Sequence, residues 1–287
     1  MEESRYKSTK LAGILGMLGN IFLLIIKATI GFLTNSQAMI ADSFNSAGDI
    51  FASLMTFIGN KIASEPQDDT HNFGHGKAEY IFSLFISLSM IFVAMKLLYD
   101  STLSLILGSE VTFSWFLILV CIVTIIVKLC LFIYTHKLSK KYNAILLEAN
   151  SKDHRNDCFV TSFTLLSVIL SCFKIYWFDG LVGIGISLWI AYTGFKILVE
   201  SYDILMDKSM DENTKNKIIE IIHKHPEIQK INHLTSSPVG YRYLISVTIF
   251  VNGNMSTFES HQIADILEKE LNQLEKVYLS IIHVNPI

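Results

Sequence analysis

The chain has 287 residues, 51% of them hydrophobic and 17% charged, with a formal net charge of −3. A soluble chain of this length carries about a quarter charged residues, so the composition argues against an ordinary soluble protein. The small negative charge lacks the basic footprint of a nucleic-acid binder. The charge deficit lies in the first 206 residues, and the rest has a soluble composition. The expectation is a membrane domain over 1–206 and a small globular domain over 207–287.

The N-terminal MEESRYKSTK runs into an apolar stretch of spanning length with no small-residue cleavage site. It reads as a retained first helix rather than a signal peptide. Six stretches reach the roughly 20 residues needed to cross a bilayer: about 11–33, 37–62, 80–105, 112–135, 143–172 and 180–204. In the first, Gly13, Gly16 and Gly19 would admit a close neighbouring helix. Arg5, Lys7, Lys10, Lys61, Lys77, Lys137, Lys140, Lys141 and Lys208 collect on one side of this arrangement, while the other side has Lys174 and little else. The excess of Lys and Arg in short loops marks the cytoplasmic side, so both termini are expected to be cytoplasmic. Cys121, Cys130, Cys158 and Cys172 lie in apolar stretches without CxxC spacing and read as reduced core residues.

Beyond residue 207 the pattern changes. DENTKNKIIEIIHKH has helical periodicity, EIQKINHLTSS and YRYLISVTIFVNG read as strands, SHQIADILEKELNQL is an amphipathic helix, and VYLSIIHVNPI is a third strand. The fold class is therefore an α-helical membrane protein: six transmembrane helices followed by a small cytoplasmic α+β domain in the order α-β-β-α-β.

The chemistry concentrates in two apolar stretches. Residues 37–59 carry Asp42, Asn45 and Asp49, spaced by three and four, on one helix face. The fifth stretch carries Asp153 and Asp157, again four apart. At 1.5 Å per residue, Asn45 lies ~14 Å from the outer end of its helix and Asp153 ~15 Å from the inner end of its own. Both pairs thus sit near the midplane of a ~30 Å hydrocarbon core. Carboxylates at that depth mark a functional site. Asn45, Asp49, Asp153 and Asp157 form a candidate metal site whose donors are all oxygens. Three carboxylates so close together hold either protons or a divalent cation, and binding one releases the other. That is the chemistry of a metal–proton antiporter. Asp42, one turn outward, is an outer acceptor supporting the ligands, an alternative ligand or a proton relay, the first being favoured. His154, Arg155 and Lys152 are expected on other faces.

At these residues the sequence resembles the cation diffusion facilitator family. The resemblance covers essentially the whole chain and rests on ADSFNSAGD, DDTHNFGHGKAE, DHRND, LMD at 205–207, SHQIAD and IIHVNP. It implies a homodimeric exporter that moves a divalent metal out of the cytoplasm in exchange for protons by alternating access, with Asn45, Asp49, Asp153 and Asp157 as the transport site. The lipid bilayer, the partner copy and the metal are its implied partners, no cofactor is implied, and the plasma (inner) membrane is its expected place. Zinc members of the family typically have His at one or both of the positions held here by Asn45 and Asp153. Zinc favours nitrogen and sulfur, and all-oxygen sites suit Mn²⁺. The expected substrate is therefore Mn²⁺, as in the manganese-efflux-like branch, with Fe²⁺ or Zn²⁺ as alternatives.

The resemblance adds two further sites. Asp68, His71 and His75, in the loop after the second helix, could hold a second metal or form a solvated loop that binds none strongly. His233, His261 and His283 could hold a cation in the tail, although Thr248 and Asn285 stand where metal-binding tails have His and Asp. Lys77 and Asp207, at the cytoplasmic ends of their helices, could pair and hinge the two domains. A remote alternative from the residues alone is an intramembrane aspartyl protease, since two carboxylates at one depth suit acid–base work. A dyad needs only one Asp per helix, however. A third reading, a metal-sensing scaffold, does not need carboxylates at the midplane.

Overall fold

The computed structural model describes the backbone of residues 2–33, 37–107, 115–171 and 177–287. Six long helices come first: α1 (Glu2–Leu33), α2 (Gln37–Ala63), α3 (Ala78–Leu107), α4 (Trp115–Tyr142), α5 (Ile145–Ser171) and α6 (Trp177–Leu205). Then follow α7 (Glu212–Ile222), β1 (Lys230–Val239), β2 (Arg242–Val251), α8 (Thr257–Leu271) and β3 (Val277–Pro286). The expected order α-β-β-α-β is the observed one. The chain divides into two compact units, one comprising Met1–Glu65 with Ala78–Tyr202 and the other Pro66–Lys77 with Asp203–Ile287. The loop at 66–77 therefore clusters with the tail rather than with its flanking helices.

Within the helical unit, α1, α3, α4 and α6 are long and apolar enough to cross a membrane. The helices outside that set, α2 and α5, are the two that carry the polar pairs. Large apolar side chains such as Leu18, Phe92, Ile126 and Phe195 are exposed on the outer faces of the four apolar helices, as lipid contact requires. The interior is built from Ala52, Ile86, Met90, Leu146, Ala149, Ile190 and Ile197. A Cβ on Gly13 would lie 3.1 Å from the Phe57 backbone nitrogen, and one on Gly16 2.8 Å from Ser53 Oγ. Gly13 and Gly16 thus let α1 pack close against α2, while Gly19 faces Leu131 and Val127 of α4. Between α4 and α5, Asn143 adopts φ +48°, a left-handed conformation that Asn tolerates better than most residues. The turn reverses the chain within two residues and lays α5 back along α4.

Of the cysteines, Cys121 is buried, Cys158 half-buried and Cys130 exposed. Cys130 departs from the core expectation because it faces outward from an apolar helix, where lipid serves as well as protein. Cys172 lies outside the described residues.

The tail unit is a three-stranded sheet in the order β1-β2-β3. β1 pairs antiparallel with β2, and β2 pairs parallel with β3 through the α8 crossover. Strand alternation puts Ile245, Val247, Ile249 and Val251 on one face, where they meet Ile218 and Ile222 of α7 and Leu267 and Leu271 of α8. α8 starts on a capping box in which Ser256 and Glu259 exchange hydrogen bonds.

At the start of α7, Asp211 accepts from the Thr214 amide at 3.0 Å and from Lys276 Nζ at 2.8 Å. The Lys276 ammonium and the Thr214 donors hold its carboxyl below the ordinary carboxylate range. Asp211→Ala should cost about 1 kcal/mol of local stability, read as faster hydrogen exchange of the α7 amides in the full chain. Because its folded-state pKa is depressed, the Asp211 contribution is fully present above pH ~4 and fades as pH falls below it. The variant and the parent should therefore converge in acid.

Candidate metal centre

α2 and α5 present their polar residues to a shared interior, and α4 closes it. Asp49, Asp153 and Asp157 line one cavity of about 120 Å³, together with Thr124 and Lys128 of α4 and Asn156 of α5. One water needs roughly 10–15 Å³ by this measure, so the cavity has room for a cation that keeps part of its hydration. Lys27 of α1 and Lys96 and Asp100 of α3 extend the lining toward the ends of those helices at Leu33 and Leu107.

The side chains of Asp42 and Asn45 lie outside the described residues, as do their neighbours at 37–41. Their backbone belongs to α2, one and two turns before Asp49.

The residue that sequence reasoning missed is Lys128. Its side chain is 1% exposed, and its Nζ lies 2.7 Å from Asp49 Oδ2 and 2.6 Å from Asp157 Oδ2. One ammonium thus clasps a carboxylate from each of the two helices. The signal was available, since a lysine in the middle of an apolar stretch is as unusual as an aspartate there. Periodicity within α4 does not say that this face meets α2 and α5. Asn20 of α1 supports the arrangement from outside, donating at 3.0 Å to the Asp49 carbonyl and at 3.2 Å to Ser53 Oγ.

Of the residues lining the cavity, Asp153 Oδ2, Asn156 Nδ2 and Thr124 Oγ1 are buried without a protein hydrogen-bond partner, as are both ring nitrogens of neighbouring His154. Buried polar atoms are normally satisfied, so this lining is suited to a bound cation and its waters. His154 is fully buried, and a ring nitrogen lies within 4.8 Å of oxygens of both Asp153 and Asp157. Helical spacing turns its Cα away from the pair, but the length of the imidazole brings the nitrogen back. The expectation that His154 belongs to another face is therefore incomplete.

The loop residues also gather. Ligand atoms of Asp68, His71 and His75 all lie within 4.8 Å of one another. His71 Nδ1 is 3.2 Å from Asp68 Oδ1, and His75 Nε2 is 3.6 Å from Asp68 Oδ2. The Thr70 hydroxyl and the His71 amide donate to Asp68 and lower its carboxyl pKa to about 2. It is thus a fixed anion across the physiological range. Lys77 Nζ pairs with Asp207 Oδ1 at 2.8 Å, as expected, although both residues are well exposed and such a pair is worth under ~1 kcal/mol.

The tail histidines do not gather. His233 lies in the irregularity between Ile231 and Leu234, Thr248 is the β2 partner of His283, and His261 sits on α8 beside Asp265. All three are exposed. Among the described residues they form no group of metal-capable side chains within one chain.

Two family profiles match the chain. The cation efflux transmembrane domain covers residues 13–206, and the cation efflux protein cytoplasmic domain covers 210–287. The chain is 31% identical to an uncharacterised transporter of Methanocaldococcus jannaschii, over 95% of this chain and 96% of that one. It is 27% identical to the manganese efflux system protein MneP of Bacillus subtilis, over 100% and 99% respectively. It is 28% identical to the cation-efflux pump FieF of Shewanella oneidensis, over 97% and 94%. Two polar helices meeting at a carboxylate-lined cavity, followed in sequence by an α-β-β-α-β tail, fit these matches. The chain belongs to the cation efflux (cation diffusion facilitator) family, whose members are membrane transporters and not enzymes.

Proposed function

We propose that this protein exports Mn²⁺ from the cytoplasm in exchange for protons, with Asn45, Asp49, Asp153 and Asp157 as the transport site. The observation that carries the reading is the cavity where Asp49, Asp153 and Asp157 converge. Its carboxylate oxygens suit a hard divalent cation, and full-length similarity to a manganese efflux system protein points the same way. Metal binding displaces protons from carboxylates, and protons arriving from the other side displace the metal. The exchange needs alternating access, in a homodimer with six spans, both termini cytoplasmic, in the plasma membrane. Asp42 supports the ligands from one turn away. Asp68, His71 and His75 hold a second cation at the loop, where the gathered ligand atoms favour it. A cation on His233, His261 and His283 would require residues of a second copy.

His154 favours a second reading. A nitrogen donor beside Asp153 and Asp157 moves the site toward Fe²⁺ or Zn²⁺. Uptake into proteoliposomes under an imposed pH gradient decides between them, with Mn²⁺, Fe²⁺, Zn²⁺, Co²⁺ and Cd²⁺ compared. The expected result is Mn²⁺ transport coupled to proton movement. Transport of Zn²⁺ without Mn²⁺ overturns the substrate. Asn45→His adds a nitrogen at the site and should raise the Zn²⁺ to Mn²⁺ transport ratio by about tenfold. An unchanged ratio removes Asn45 from the ligand set.

A further inference from the structure

Three carboxylates at the centre of a membrane domain pose a problem for the metal-free carrier, which must return through the bilayer with its charges compensated. The Lys128 ammonium lies where that compensation is needed, 2.7 Å from Asp49 and 2.6 Å from Asp157. A divalent cation bound by the same two carboxylates would sit next to a like charge that is buried with it. The lysine stem is flexible, and the cavity of about 120 Å³ beside it gives the ammonium room to swing aside. Lys27 and Lys96 line the same cavity, as does Asp100. The Lys128 ammonium joins the α2 carboxylate to the α5 carboxylate.

We propose that Lys128 is a tethered competitor of the transported cation: its ammonium holds Asp49 and Asp157 in the metal-free protein, is displaced when metal binds, and returns as metal leaves. The inference rests on the metal-transport reading and adds a residue that sets affinity and release. Metal binds only to the fraction of molecules whose lysine has swung away, so the apparent Kd is raised by the inverse of that fraction. Return of the ammonium helps to expel the metal, so the same residue speeds turnover.

The test uses the full chain, with Mn²⁺ binding in detergent followed by equilibrium dialysis and transport followed in proteoliposomes. Lys128→Gln removes the charge and should lower both the Mn²⁺ Kd and the transport KM by about tenfold, while kcat falls. A role confined to packing would not lower KM. Lys128→Arg keeps the charge and grips carboxylates in a fixed two-pronged geometry, so it should raise Kd. A Gln variant that melts like the parent with an unchanged or higher Kd overturns the proposal. If the Gln variant does not fold, an Arg variant whose Kd is unchanged or lower overturns it instead. Parent protein that binds and transports no divalent cation refutes the transport reading. Parent transport with either overturning result refutes the competitor role alone.

Discussion

Asp49→Ala and Asp157→Ala are each expected to reduce Mn²⁺ transport by more than about 100-fold, because loss of groups that merely support a ligand already costs 10- to 100-fold. Each change also strips Lys128 of one of its two carboxylates. Because Lys128 keeps its other carboxylate in each variant, the loss should stay below the about 3–5 kcal/mol of an orphaned buried charge, and both variants should melt only modestly earlier than the parent. Asp157→Asn separates the two effects, because the amide keeps the volume while removing the charge. It should lose transport with a smaller loss of stability. Transport at the parental rate by any of the three would remove that residue from the site.

The second large effect is structural and lies at the other end of the helical unit. Arg5 Nη2 meets Glu79 Oε2 at 2.5 Å, with the two side chains 4% and 2% exposed. The same guanidinium donates through Nε to the Tyr142 carbonyl at 3.3 Å. Tyr142 is the last residue of α4, where carbonyls have no partner within the helix. One arginine therefore ties the start of α1 to the start of α3 and the end of α4. Arg5→Ala should destabilise the helical unit by about 3–5 kcal/mol, chiefly because Glu79 is left buried and unpaired. Replacing both partners together, as Arg5→Met with Glu79→Met, should recover most of that loss, since apolar pairs of similar volume often equal a buried ion pair. Thermal unfolding in detergent measures both. A double variant no more stable than Arg5→Ala would show that the Tyr142 contact dominates.

Much of this molecule is legible in the sequence because its two environments leave different periods. Apolar stretches of bilayer length give α1, α3, α4 and α6, while α2 and α5 are long helices interrupted by polar residues, and alternation at Ile245, Val247, Ile249 and Val251 gives the central strand of the tail. Asp49 and the Asp153–Asp157 pair stand out as carboxylates in apolar stretches, and the structure puts all three on one cavity. Asp68, His71 and His75 are likewise close in sequence and close in space.

What the sequence by itself determined is local: which face of each helix is polar and where chain reversals fall. The tertiary structure decided what those faces meet. Lys128 is 79 residues from Asp49, and Arg5 is 74 from Glu79. No periodicity within α4 or α1 encodes such pairings. The position of His154 depends on the reach of an imidazole between packed helices, and the clustering of loop 66–77 with the tail depends on contacts far along the chain. Helical spacing fixes direction around one axis; only packing fixes which axes lie side by side, and in this protein the charge balance of the site depends on that choice.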